Sequence, residues 1–500
     1  IIATLFAFSP TLQTDFLWSE YDEVERSAYQ SMDDWTEAWS PTIIRQHDPV
    51  TITTYYLESL SPLSPAATHR LINLLLHLTA ALFLLKILES LKLRGAYAAS
   101  LVFALHPAAL QTLFWPGYRN EITGLIFILA CLYFGTRSRG AVDFSLALIT
   151  GLVGSLIHPA AFALPALLAL IIYFQNTHFH LHQYNKVLPL SCGLLFVYVW
   201  TQSAPSLNSR PEELELLTQA GQNVYFYLRQ SLLPLDPRLF HPFPTAQTYN
   251  VGALNSLIAF LIFMPFYVLA FVNFRKRRAR GLILGLSSFL LLLIYGIFHT
   301  GRFIDGSLAK EEHALYVALP AILALTFCSA ASFFGRKQTF GRFFWPALFG
   351  SFFLVHIGLT TSYSYSVSDP VKMWKTITEQ WEDSWQPKAA LVKAVRASGS
   401  DVVGPNEMVR TLEKILEANP GLNEERVYLA RKYREDGQNT NAVREYRRIL
   451  RETEPDNEFL EEAAQLFDKV GLTWEGNNAR ERMKKPKNQA TTAEPTLNNE

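Results

Sequence analysis

The stretch "ATHRLINLLLHLTAALFLLKIL" (67–88) decides how the chain reads. It is apolar along nearly its whole length, and roughly 20 apolar residues suffice for a helix to cross a bilayer. Similar runs follow near 96–115, 122–136, 142–157, 160–174, 187–201, 252–274, 281–299, 314–334 and 343–363. "IIATLFAF" (1–8) reads as the exit end of one more, so about eleven spans are expected. The pair over 142–174 shares a break at "HPAA" (158–161), which predicts a tight turn.

The composition supports two unlike parts. Of 500 residues, 49% are hydrophobic and 18% charged, with no net charge. The apolar runs fill 66–365, whereas 370–500 is rich in charge. The expected fold is therefore all-α: a polytopic membrane helical bundle over 1–366 with a large outer loop at 11–66, then a soluble helical domain over 367–483. The tail 484–500, "KKPKNQATTAEPTLNNE", has the composition of a disordered segment. Balanced charge without a long basic stretch excludes nucleic acid as the main partner. Cys131, Cys192 and Cys328 each lie inside an apolar run and read as small core hydrophobes. No Walker loop, dinucleotide fingerprint or zinc-ligand spacing occurs, and no metal or cofactor is expected. "HFHLH" (178–182) reads as loop.

Basic residues set the sidedness. Lys86, Lys92, Arg94, Arg137, Arg139, Lys186, "RKRRAR" (275–280), Arg336, Lys337 and Arg342 fall in alternate loops, which the positive-inside rule places in the cytoplasm. The expected localisation is a multi-pass integral membrane protein with its C-terminal domain on the non-cytoplasmic side.

That domain carries a repeat. "LARKYREDGQNTNAVREYRRILRETEPDN" (429–457) has tetratricopeptide spacing at Leu429, Ala430, Tyr433, Gly437, Ala442, Tyr446, Leu450 and Pro455. "MVRTLEKILEANPG" (408–421) fits the second helix of a preceding repeat and "EFLEEAAQLFDKVG" (458–471) the first helix of the next. A packing scaffold and a surface for a protein partner are both consistent with it.

Three constellations have residue types suited to chemistry. "FLWSEYDEVER" (16–26) holds Glu20, Asp22, Glu23 and Glu25, which are solvated loop acids or contain a general base. "HPAALQTLFWPGYRNEITG" (106–124) holds His106, Arg119 and Glu121 between two apolar helices; Arg119 suits a phosphate, and a buried His is commonly structural. "GRFIDGSLAKEEHALYVALP" (301–320) holds Arg302, Glu312, His313 and Tyr316, with His313 and Tyr316 three apart on one helix face.

These parts together resemble a known family. "YDEV" (21–24), "HDPVT" (47–51), "RLINLLLH" (70–77) with Asn73 and His77, "HPAALQTLFWPGYRNE" (106–121) and "KEEHALYVALP" (310–320) are similar, over most of the chain, to motifs of the transmembrane-and-tetratricopeptide glycosyltransferases. Those are O-mannosyltransferase-like enzymes of the GT-C fold. The resemblance implies sugar transfer from a polyprenyl-phosphate donor to a hydroxyl of a protein or glycan acceptor on the non-cytoplasmic side, without cofactor. It implies Asp22 as base with Glu23 beside it, and Glu121 orienting the site. Arg119, Arg302 and His313 would bind the donor phosphate, with Asp48, His106, Glu312 and Tyr316 in support. Asp48 and His313 stand where the family has arginines, so a second expectation is a catalytically degenerate membrane scaffold whose tetratricopeptide domain docks a partner protein.

Overall fold

A computed structural model describes residues 1–13, 32–40, 48–61, 65–137, 140–175, 187–201, 213–234, 240–242, 261, 264–270, 272–273, 275–298, 301–302, 308–311, 313–334, 341–381, 384–400 and 402–484. The chain divides into two compact units, Ile1–Met373 and Trp374–Glu500.

Helices dominate the first unit, but they are not the expected spans. Among the described residues one helix, Ala66–Ser90, is long and apolar enough to cross a membrane, at 25 residues. The other clearly apolar helices are short: Ile2–Leu12, Ala141–Ile157, Pro159–Gln175 and Leu319–Phe333 have 10–17 residues. The expectation of about eleven spans is thereby overturned. With it fall the polytopic GT-C bundle, the multi-pass localisation and the resemblance to the glycosyltransferase family. Both functional forms built on that architecture fall too, the sugar transferase and the degenerate membrane scaffold. The expected partners, a lipid-linked donor with its acceptor and membrane lipids, presuppose the same embedding and are likewise not supported.

Proline explains much of the shortening. The run 96–115 is two helices, Ala96–Ala104 and Ala109–Phe114, interrupted at His106–Pro107. The run 160–174 begins as a 3-10 turn, Pro159–Ala163, before the helix Leu164–Gln175. Proline lacks the N–H that would continue the ladder, and it pushes the residue before it out of helical geometry. His158 accordingly has φ −141° and ψ 131°.

The fold is all-α as expected, with one small antiparallel sheet beside the helices. Leu308–Glu311 lies between Phe240–Pro242 and Gly301–Arg302, with Phe240 opposite Glu311 and Gly301 opposite Ala309. The expected outer loop 11–66 is partly helical, holding Met32–Ala38 and Pro49–Ser59.

The helix Arg119–Arg137 organises the core of this unit. It packs against Pro65–Ser90 and Ala141–Ile157. Its buried face runs from Arg119 and Glu121 through Leu125, Ile128 and Leu129 to Leu132, which is helical spacing. Gly124 is the close-approach point. A Cβ there would come within 2.5 Å of the His158 Cβ, so the absent side chain lets the His158 turn lie directly on this helix.

The second unit is a series of short helical hairpins. Trp385–Ser398 packs on Pro405–Ala418, Asn423–Glu435 on Asn439–Glu452, and Asn457–Lys469 on Thr473–Lys484. Gly437 (φ +71°) and Gly471 (φ +82°) occupy equivalent left-handed turns between paired helices. Tyr433, Tyr446, Phe459 and Phe467 fill the gaps, and the Tyr446 and Phe459 rings stack at 4.6 Å. Charged groups close the seams: Tyr446 Oη donates to Glu462 Oε2 (2.9 Å), which also accepts from Arg431 Nε (3.0 Å). Arg447 grips Glu475 with two nitrogens, at 2.9 and 2.6 Å.

Candidate functional site

Two polar clusters lie side by side at the start of the Arg119–Arg137 helix. The first is a clamp around Arg119, whose side chain is fully buried. Its Nε donates to Asn73 Oδ1 (2.7 Å), Nη1 donates to Thr54 Oγ1 (2.9 Å) and pairs with Glu58, and Nη2 donates to the His69 carbonyl (3.2 Å). The guanidinium also lies 4.7 Å over the Tyr55 ring. Asn73 Nδ2 reaches His69 Nε2 (3.1 Å), and His69 Nδ1 lies between Arg119 Nη2 (2.8 Å) and Glu58 Oε2 (3.0 Å). Burial, and then the Arg119 charge, lower the His69 pKa to about 4. The imidazole is therefore a neutral spacer inside an Arg–Glu pair.

The second cluster surrounds Glu121, whose carboxylate is almost wholly buried. Its Oε2 is 3.0 Å from His158 Nε2 and its Oε1 is 3.9 Å from His313 Nε2. His158 is held by its own turn: the Ala160 N–H donates to Nδ1 (3.1 Å). The ring proton then sits on Nε2, the nitrogen nearer the carboxylate. His313 is held twice. Its backbone N–H donates to Gln111 Oε1 (2.7 Å), and its ring stacks on Tyr118 with centroids 3.8 Å apart.

Asp48 adds a second carboxylate within electrostatic reach of His158. It caps the helix Pro49–Ser59, accepting from Val50 N (2.9 Å) and Thr51 N (3.2 Å). Burial raises its pKa, opposed by its bonds to Thr51 and Val50 and by the neighbouring His158 charge. Thr51 Oγ1 bonds Asp48 and lies 3.4 Å from Thr123 Oγ1, joining the cap to the central helix.

Tyr316 follows His313 by three residues. It is fully buried, and its hydroxyl donates to His77 Nδ1 (2.7 Å), while His77 Nε2 faces the Ala104 carbonyl at 3.3 Å. Burial, and then the charge of Glu121, push the phenol pKa upward. The His77 pKa is lowered by burial to about 4.

The expected site residues thus divide. Glu121 and His313 meet, Asp48 reaches the same cluster through His158, and Tyr316 feels the Glu121 charge. Arg119 lies in the adjoining clamp. His106 lies elsewhere: Ala108 N–H donates to its Nδ1 (3.2 Å), and its Nε2 donates to the Ser231 carbonyl (3.2 Å). Arg302 pairs with Leu308 in the small sheet. Asp22, Glu23 and Glu312 lie outside the described residues, as does "HFHLH" (178–182). Among the described residues no group of three or more His, Cys, Asp or Glu is placed to hold a metal ion.

Glu58 and His69 are the residues sequence reasoning missed. One signal was available for His158. "HPAA" occurs twice, at 106–109 and 158–161, and in both copies the His Nδ1 accepts from the second residue on, turning Nε2 outward. The first copy meets a backbone carbonyl and the second a carboxylate. No family model matches the chain, and neither a curated protein nor a solved structure is detectably similar to it.

Proposed function

We propose that the unit Ile1–Met373 carries an acid–base site in which Glu121 exchanges a proton with a substrate hydroxyl. The observation that supports this is the buried Glu121 carboxylate set between two imidazoles, with His158 Nε2 at 3.0 Å. Such a carboxylate is oriented in advance of any substrate. His158 is the group that passes the proton on, because its Nδ1 accepts from the Ala160 N–H and its Nε2 lies 3.0 Å from the Glu121 carboxylate. His313 Nε2 stands 3.9 Å from the second oxygen, and Asp48 lies within electrostatic reach of His158. The neighbouring Arg119–Glu58 pair fixes the frame by joining the helices Pro49–Ser59, Pro65–Ser90 and Arg119–Arg137.

The test is turnover of activated reporter substrates, namely p-nitrophenyl esters, phosphates and glycosides, by the wild type, Glu121→Gln and His158→Asn. Glu121→Gln is expected to lower kcat by about 10²–10⁴ with little change in Tm. Equal turnover by Glu121→Gln, or no turnover of any class by the wild type, overturns the reading.

For the second unit we propose a tetratricopeptide-type array spanning 367–483. Helix starts at Asn423 and Asn457, and turn glycines at Gly437 and Gly471, recur with the period of about 34 residues that marks such arrays. Stepwise removal of the last hairpin, Asn457–Lys469 with Thr473–Lys484, is expected to lower stability by one nearest-neighbour increment and leave the remaining hairpins folded. Complete unfolding of the truncated chain, read by circular dichroism, would rule the array out.

A further inference from the structure

A cavity of about 780 Å³ lies in the first unit, between the helices Pro65–Ser90, Arg119–Arg137, Leu164–Gln175, Arg277–Phe298 and Leu319–Phe334. That volume falls within the range of small-molecule sites. Its walls are aliphatic, with Leu88, Leu129, Ile171, Leu284 and Leu325 among them. Four cations, Lys92, Arg94, Arg277 and Arg278, line it as well, and all four are exposed. No carboxylate is among the described lining residues.

The cations are gathered by the fold. Lys92 adopts φ +53°, a left-handed turn that ends the helix Pro65–Ser90 and sends the chain back within a few residues, so Lys92 and Arg94 share one end of the cavity. Arg277 is fixed at that end: its Nη2 donates to the Leu91 carbonyl (3.2 Å), and its guanidinium sits 5.3 Å over the Phe174 ring. The basic run 275–280 thereby acquires a place that acid–base chemistry at Glu121 does not use.

We infer that this cavity binds a long-chain carboxylate, its alkyl chain lying along the leucine walls and its head among Lys92, Arg94 and Arg278. An uncharged apolar ligand would make no use of Lys92, Arg94 and Arg278. A small anion would leave the aliphatic volume empty. Only a ligand with both parts fits the charge and the shape together. This inference does not rest on the acid–base reading of Glu121.

The experiment is displacement of dansyl-undecanoate from the full chain by saturated fatty acids below their micelle concentrations, with the matching methyl esters as controls. Affinity is expected to rise by up to about fourfold per methylene from decanoate to palmitate. The methyl esters, and the double variant Arg94→Gln/Arg278→Gln, are expected to bind at least tenfold more weakly. Ala324→Phe, which places a ring in the cavity, is expected to abolish displacement, with Ser329→Phe as the second blocking variant. Binding unchanged in both blocked variants, or methyl esters binding as tightly as the acids, overturns the inference. So does the absence of any dansyl-undecanoate binding by the wild type.

Discussion

His158 Nε2 lies 3.0 Å from Glu121 Oε2, and Gly124 makes that approach possible. One turn of helix separates Gly124 from Glu121, so a single missing side chain clears the place where the histidine turn sits. In Gly124→Ala the new Cβ would meet His158 at 2.5 Å, a distance that real contacts do not tolerate. We expect destabilisation of about 1–3 kcal/mol and displacement of the imidazole. Urea denaturation reads the first, and the loss of turnover without loss of fold reads the second.

The buried Arg119–Glu58 pair should behave asymmetrically. Glu58→Gln or Arg119→Met alone leaves a buried charge uncompensated and is expected to cost about 3–5 kcal/mol. The double variant Glu58→Gln/Arg119→Met should recover much of that loss, because no charge is left stranded. Equilibrium denaturation of the full double-mutant cycle checks it, and strict additivity would show that the two groups do not act as a pair.

Acid should unfold the first unit through its buried histidines. The pKa is lowered from 6.5 to about 4 at His69 and His77 and to about 3 at His106, in each case mainly by burial. Above pH 6.5 neither folded nor unfolded chain protonates them, and the stability is fully present. Between 6.5 and 4 the unfolded chain binds protons that the folded chain refuses, so stability falls as pH falls. The slope is about 1.4 kcal/mol per pH unit for each histidine. Denaturation midpoints at pH 7, 6 and 5 measure it. His77→Gln should reduce the slope by one histidine's share.

In the second unit, Gly437→Ala forces an L side chain into φ +71°. The expected cost is about 1–2 kcal/mol, and Gly399→Ala at φ +62°, with open space around it, should cost a similar amount. Gly404→Ala, which has open space and an ordinary φ of −63°, should cost much less. Thermal melts of the three variants separate backbone strain from crowding.

Particular elements show how much could be read in advance. The repeated His-Pro-Ala-Ala announces its turns, because proline and the residue before it leave helical geometry wherever they occur. Asp48-Pro49 likewise announces a helix start, since an acid before a proline caps the free N–H groups two and three residues on. The apolar runs were legible as helices. Their reading as membrane spans failed because polarity was averaged over windows, whereas the chain breaks those windows at His106–Pro107 and His158–Pro159. The joining of Arg119 to Glu58 and His69 carried no local signal, because Arg119 lies on a different helix, at least 50 residues along the chain from both.

The sequence by itself determined where helices stop, which faces are apolar and the period of the C-terminal hairpins. These follow from single-residue geometry and from near-neighbour spacing. Only the tertiary structure decided that Glu121 faces His158 and His313 rather than Arg119, and that Arg119 is committed to Glu58. Ion pairs between buried groups depend on which helices pack, and packing is settled by the summed burial of many side chains. No local pattern in the chain records that sum.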